Sequence, residues 1–177
     1  MPITTPHFDA EALYGTLLEQ VRAGLADVPD AAIVGIHSGG AWLAQRLARD
    51  LDLTGRLGSI DVSFYRDDYA KKGLHPDVKP THIGFNVDRA NILLVDDVLY
   101  TGRTTRAAIN VLFDYGRPAR IMLAALADRA GRELPVAADF VGVHAELQSG
   151  QSLSLQRSED GQLSLTIEED EAEAPRA

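Results

Sequence analysis

The sequence predicts an α/β fold with a central, mostly parallel sheet flanked by helices. Two observations carry that reading. Short apolar runs (AAIVGI at 31–36, ILLV at 92–95, RIMLAALA at 120–127) are separated by segments whose apolar residues recur at helical spacing. Such unalternating runs suit strands buried on both faces. Two of the runs also end in Gly-containing turns that feed a helix, HSGG at 37–40 and YTGRTT at 100–105. That order places backbone N–H groups at a helix N-terminus, where an anion can sit.

The 177-residue length fits one domain with a sizeable core, expected over 1–167. Residues 168–177 are acidic and apolar-poor, and are expected to be a disordered tail. With no cysteine, neither a disulfide framework nor a thiolate metal site or nucleophile can exist. The N-terminus lacks a basic region followed by an apolar one, and no apolar run reaches the length of a membrane span. A cytoplasmic protein with no membrane partner is expected. The net charge of −9 disfavours a broad nucleic-acid surface and leaves room for a local basic patch.

In order, residues 8–25 predict an amphipathic helix through Leu13, Leu17, Val21 and Leu25, with Asp9 as its N-cap. Strand 31–36 follows, then HSGG, then helical spacing over 41–50 through Trp42, Leu43 and Leu47. The HSGG turn alone is a weak signal, because glycines often serve such turns sterically. Residues 57–65 predict a strand. The stretch that follows has no regular pattern and carries Arg66, Lys71, Lys72 and Lys79, which suggests a lid over about 65–82 that meets an anion. Strand 92–95 leads to Asp96 and Asp97, and residues 104–115 predict a helix stopped at Gly116. A strand over 120–127 follows, then a polar connection at 128–135 and a short strand at 140–143. From Leu147 the pattern becomes a hairpin turning at Glu159-Asp160-Gly161.

The stretch ILLVDDVLYTGRTT at 92–105 is the centre of the functional reading. Gly102 with Thr101, Thr104 and Thr105 offers hydroxyls and unhindered amides at a helix N-terminus, enough to hold a phosphate monoester without lysine. It is neither a Walker A loop nor a dinucleotide fingerprint. The carboxylates of Asp96 and Asp97 suit the vicinal hydroxyls of a ribose. In a regular strand they point to opposite faces, so both reach one sugar only if the strand ends there and the chain turns.

VDDVLYTGRT resembles the phosphoribosyl pyrophosphate (PRPP) signature of type I phosphoribosyltransferases, and in this spelling the PyrR-type family of pyrimidine-operon attenuation regulators and uracil phosphoribosyltransferases. IDVSFYRDDYAKK at 60–72 and DRAGRELPVAADFVG at 128–142 are similar to further stretches of that family. The resemblance implies a type I phosphoribosyltransferase-like sheet with a flexible lid loop and a small C-terminal β hood over about 128–167. It implies that Asp96 and Asp97 bind the ribose hydroxyls, and that Tyr100, Thr101, Gly102, Arg103, Thr104 and Thr105 hold the 5-phosphate. Ser38, Gly39 and Gly40 would form the pyrophosphate loop, and Arg66 would close over the pyrophosphate. Glu146, Leu147 and Gln148 would read the base.

The implied reaction is uracil plus PRPP giving UMP and pyrophosphate, with Mg²⁺ held by substrate oxygens and water rather than by direct protein ligation. A purine phosphoribosyltransferase is an alternative. So is an RNA-binding regulator with little turnover, although better-known members carry a basic pair where this chain has HSGG. Here the first helix offers one arginine, Arg22, against Asp9, Glu11 and Glu19. The resemblance also implies a homodimer or higher homo-oligomer, for which Trp42 and Tyr14 are candidate contacts. The roles of Arg129, Arg132 and Glu133 stay open between site and surface, and the scattered histidines suggest no metal site.

Overall fold

The computed structural model describes residues 6–63 and 80–170. The lid stretch with Arg66, Lys71, Lys72 and Lys79, and the end of the acidic tail, lie outside the described residues.

Helix α1 runs Ala10–Leu25, with the Asp9 side chain accepting from Ala12 N at 3.1 Å. Strand β1 is Ala31–Ile36, buried at every position. Helix α2 spans Gly39–Asp50 and so starts earlier than the apolar spacing suggests, because Gly39 and Gly40 form its first turn. Strand β2 is Leu57–Ile60, shorter than expected, and β3 is the two-residue His82–Ile83. Strand β4 spans Asn91–Leu99, α3 Arg103–Tyr115, β5 Arg120–Arg129 and β6 Phe140–Ala145. The hairpin β7–β8, Gln151–Arg157 and Leu163–Glu169, is the last feature of the described residues.

Among the described residues six strands form one sheet in the order β3-β2-β1-β4-β5-β6, parallel except for β3, which pairs antiparallel with β2. The chain runs from β1 to β2 on one side and returns to β4 on the other. The topological switch point therefore lies between β1 and β4, where open α/β sheets place their ligands.

Each face of the sheet has its own core. On one, Leu17 and Val21 of α1 and Leu43 and Leu47 of α2 pack on Ile33, Leu93 and Val95. On the other, Ala108 and Leu112 of α3 pack on Val34, Ile92 and Leu94. Each fully buried Leu or Ile contributes about 1.5–3 kcal/mol. The β7–β8 hairpin lies on the first face through Leu155, Leu163 and Leu165, and Arg157 stands 4.9 Å over the Trp42 ring.

A polar network closes that face. Arg46 of α2 makes a bidentate contact with Glu11 of α1 (3.1 and 2.9 Å), and its guanidinium lies 4.1 Å over the Tyr14 ring. Tyr14 donates to Asp50 Oδ2 at 2.6 Å, and Leu163 N donates to Glu11 Oε1 at 2.7 Å. The hydrogen bond from Arg46 holds the Glu11 carboxyl below its ordinary range. Burial, reinforced by Asp50, pushes the Tyr14 hydroxyl well up. Tyr14 is thus a buried tie between helices, which corrects the expectation that it offers a subunit contact.

Candidate active site

Parallel strands bring the carboxyl ends of β1, β4, β5 and β6 to one edge of the sheet. The acidic pair, the HSGG segment and the YTGRTT loop all stand on that edge.

β4 does not end at the acidic pair, contrary to the condition set by the sequence. It continues to Leu99, and its alternation slips there instead. Leu93, Val95 and Val98 face one core, while Ile92, Leu94 and Leu99 face the other. Asp96 is buried at 3% exposure and accepts from Asp97 N at 2.9 Å. Asp97 Oδ1 accepts from Val98 N at 2.8 Å. Asp97 Oδ2 points at α2: a Cβ on Gly39 would lie 2.4 Å from it. A Cβ on Gly40 would lie 2.3 Å from the Val95 carbonyl oxygen. These glycines let the first turn of α2 press against β4 beside the carboxylates. They are steric necessities and stand beside the candidate site's carboxylates. The peptide bond between His37 and Ser38 is cis.

Helix N-termini differ across the molecule. α1 has the Asp9 cap and Glu11 in its first turn. α2 starts at Ser38, which makes no side-chain capping bond, and α3 starts at Gly102. Neither of these has an acid in its first turn, so both keep partial positive charge turned toward the site.

The loop before α3 is firmly built. Gly102 has φ +92°, a left-handed conformation that favours glycine. Thr101 O accepts from Glu133 N and Leu134 N at 2.9 and 3.1 Å, and Thr101 Oγ1 accepts from Arg103 N at 3.2 Å. Arg103 pairs with Glu133 at 2.8 Å. Arg132 bonds Asp128 Oδ1 at 2.8 Å, Val136 O at 2.7 Å and the Tyr100 carbonyl. Arg132 and Glu133 are therefore loop ties rather than loose surface charges. Thr105 Oγ1 is buried without a hydrogen-bond partner. A buried hydroxyl ordinarily has a partner, so this one is a candidate contact for a ligand oxygen.

Beside this loop, a cleft of about 560 Å³ follows the ends of β5 and β6. Asp128, Arg129, Arg132, His144 and Glu146 supply its charged and titratable lining, with Phe8 at its margin. Arg129 stacks 3.9 Å over the Tyr100 ring, and its Nε is buried without a hydrogen-bond partner. Of the three residues expected to read a base, Glu146 lines the cleft. Leu147 and Gln148 do not; Gln148 closes the turn into β7, its N–H donating to Gln151 Oε1 at 3.1 Å. Sequence reading left Arg129 open between site and surface and placed Asp128 in a polar connection. Their signal was available: like Asp96 and Asp97, they end an apolar strand.

Among the described residues no three His, Asp or Glu side chains gather as a metal cage, and no helix is long and apolar enough to cross a membrane.

Residues 8–153 match the Phosphoribosyl transferase domain family. The chain is 52% identical over 161 residues to Bifunctional protein PyrR of Ralstonia nicotianae, covering 90% of this chain and 92% of that one. It is 48% identical over 145 residues to Bifunctional protein PyrR of Pseudomonas aeruginosa, covering 81% of each. Among solved structures, a hypoxanthine-guanine phosphoribosyltransferase of Bacillus anthracis shares the fold at TM-score 0.63 and 19% identity, covering 80% of this chain and 84% of that one. A purine phosphoribosyltransferase of Pyrococcus horikoshii aligns at TM-score 0.55 and 29% identity, covering 75% and 80%.

Proposed function

The chain belongs to the phosphoribosyltransferase family, among its PyrR-type members, and from that premise we propose that it converts uracil and PRPP to UMP and pyrophosphate. One observation carries the reading. At the switch point, the Asp97 carboxylate lies against the uncapped start of α2, while the strand that bears it leads directly to the uncapped start of α3. Two anion-binding helix ends thus flank a pair of hydroxyl-binding acids, which is the spacing of groups in a sugar bearing phosphates at two positions.

In this reading the loop from Tyr100 to Thr105 holds the 5-phosphate, with Thr105 Oγ1 taking a phosphate oxygen as its missing partner. Asp96 and Asp97 accept from the ribose hydroxyls. The amides of Ser38, Gly39 and Gly40 hold the pyrophosphate, and Arg66 closes over it. Asp96 and Asp97 would face a Mg²⁺ ion carried mainly by substrate oxygens and water. When bound, it neutralises the polyphosphate against the two carboxylates. The bond from the anomeric carbon to pyrophosphate breaks as uracil N1 takes its place, and the N1 proton leaves to water. Positive charge develops on the sugar in between. No nucleophilic side chain is required. The work of the residues is to position the reactants and stabilise the departing anion.

Pyrophosphate release from PRPP with uracil, hypoxanthine or orotate in turn tests the proposal. Uracil is expected to be the fastest. A purine preference would reassign the base, and no release with any of them would defeat the enzyme reading.

The shared name of the relatives, Bifunctional protein PyrR, favours a second role, UMP-responsive binding of a pyrimidine-operon RNA leader. Arg22 of α1 is paired with Glu19 at 3.6 Å and Arg46 is consumed by Glu11, so α1 and its neighbour bring few free cations to phosphate. Undetectable binding to such a leader at low salt, with and without UMP, would remove this role.

A further inference from the structure

We infer that Asp128 selects the base by accepting its ring N–H, so that the cleft takes nucleobases with a protonated ring nitrogen flanked by carbonyls and rejects amino bases. The inference rests on the phosphoribosyltransferase reading and adds to it a residue that discriminates between bases.

Asp128 sits in the cleft at the end of β5, in register with Leu99 of β4, one strand away from the acidic pair. Its side chain is 16% exposed and fixed in direction. Arg132 holds Oδ1 at 2.8 Å, and Arg132 is itself tied to the backbone at Val136 and Tyr100. The other oxygen, Oδ2, is turned toward His144, whose Nδ1 stands 3.8 Å away, beyond a good hydrogen bond. One oxygen is thus anchored, and the other is an oriented acceptor in a cleft.

A carboxylate oxygen accepts and cannot donate. Uracil presents a ring N–H between two carbonyls; cytosine presents an unprotonated ring nitrogen beside an amino group. Against Oδ2 the first makes a charge-assisted hydrogen bond, and the second sets lone pair against lone pair. Arg129 and His144 line the same cleft and carry N–H groups of the kind the flanking carbonyls require. Glu146 is the other carboxylate of the cleft, but it is exposed and has no tie comparable to Arg132. A loose acid gives little discrimination, because its oxygens are free to turn away to water.

Asp128→Asn keeps the shape and an oxygen for Arg132, and turns an amide N–H₂ toward the base. The test compares wild type, Asp128→Asn and Glu146→Gln. It reads kcat/KM for uracil and cytosine, KM for PRPP, and inhibition by 4-hydroxy-2-pyridone, a uracil analogue with C–H in place of the ring N–H. The wild type is expected to bind uracil about 10- to 100-fold more tightly than the pyridone, the range for one hydrogen bond to a charged group. In Asp128→Asn that ratio should collapse toward one. Its uracil-to-cytosine preference should fall in parallel, with KM for PRPP within about twofold of wild type. Glu146→Gln should keep both ratios. An unchanged ratio in Asp128→Asn, or loss of the ratio in Glu146→Gln, overturns the inference. Should Asp128→Asn fail to fold, the wild-type ratio and Glu146→Gln decide: a wild-type ratio near one is contradictory, and a large ratio that survives Glu146→Gln is supportive. Failure of the underlying reading looks different, since wild type would then release no pyrophosphate with uracil, which overturns both.

Discussion

Among the described residues an arginine stacks on a tyrosine twice, and the two sites are built to opposite ends. Arg46 over Tyr14 joins α1 to α2, and every partner it needs comes from the protein: Glu11 takes the guanidinium and Asp50 takes the tyrosine hydroxyl. Arg129 over Tyr100 stands at the carboxyl edge of the sheet, and its buried Nε has no hydrogen-bond partner. The helix starts divide in the same way. Asp9 caps α1, whereas α2 and α3 reach the carboxyl edge without a capping side chain. Thr105 Oγ1, also buried and without a partner, belongs to that edge. Folding satisfies the polar groups of the α1 face and leaves Thr105 Oγ1 and Arg129 Nε at the carboxyl edge for something else to satisfy. An unsatisfied buried polar group costs about 1–3 kcal/mol, so a fold that keeps two at one edge gives up stability there.

Substitutions can break this contrast, starting with the most damaging. Gly40→Ala would put a Cβ 2.3 Å from the Val95 carbonyl oxygen, against backbone that cannot rotate away. α2 must then shift off β4. Loss of measurable turnover and a fall in Tm of several degrees are expected from a kinetic assay and a thermal melt. Asp97→Asn removes a charge from the edge without changing shape. A drop of about 100-fold or more in kcat/KM is expected with Tm little changed, and unchanged kinetics would take Asp97 out of the site. Thr105→Val deletes a hydroxyl that no protein group uses. Stability should hold or rise, while KM for PRPP should rise about 10-fold; a fall in Tm with unchanged KM would mean that the hydroxyl serves the fold.

The smallest effect belongs to the closed face. Glu11→Gln should cost about 1 kcal/mol at neutral pH, because the ion pair with Arg46 is partly exposed. Its folded carboxyl lies below the ordinary value of 4.5, so its contribution is complete above that value and is lost as pH falls through the lower folded one. Denaturant melts should therefore show wild type and Glu11→Gln converging in acid, with activity at neutral pH nearly equal.

The main elements were legible because their signals are local. The buried run AAIVGI, the fourfold spacing of Leu13, Leu17, Val21 and Leu25, and the Gly102 turn each follow from a few adjacent residues. What escaped depends on contacts far apart in sequence. The slip in β4 that lets the strand pass through Asp96 and Asp97 reflects packing against two cores. That Gly39 and Gly40 belong to α2 is decided by how closely the helix meets β4. Tyr14 looked available for a subunit contact until Asp50, 36 positions on, claimed its hydroxyl. Of the cleft only Glu146 was read as base-binding, because Asp128 and His144 meet only through sheet order.

Amide hydrogen exchange in the presence and absence of PRPP with Mg²⁺ bears most directly on the contrast between the two regions. Slower exchange is predicted in the first turns of α2 and α3, at residues 39–42 and 103–106, with no change in the capped first turn of α1 at 10–13. Protection that is equal at all three helix starts, or absent at α2 and α3, would contradict the claim that the carboxyl edge is held open for a phosphorylated sugar.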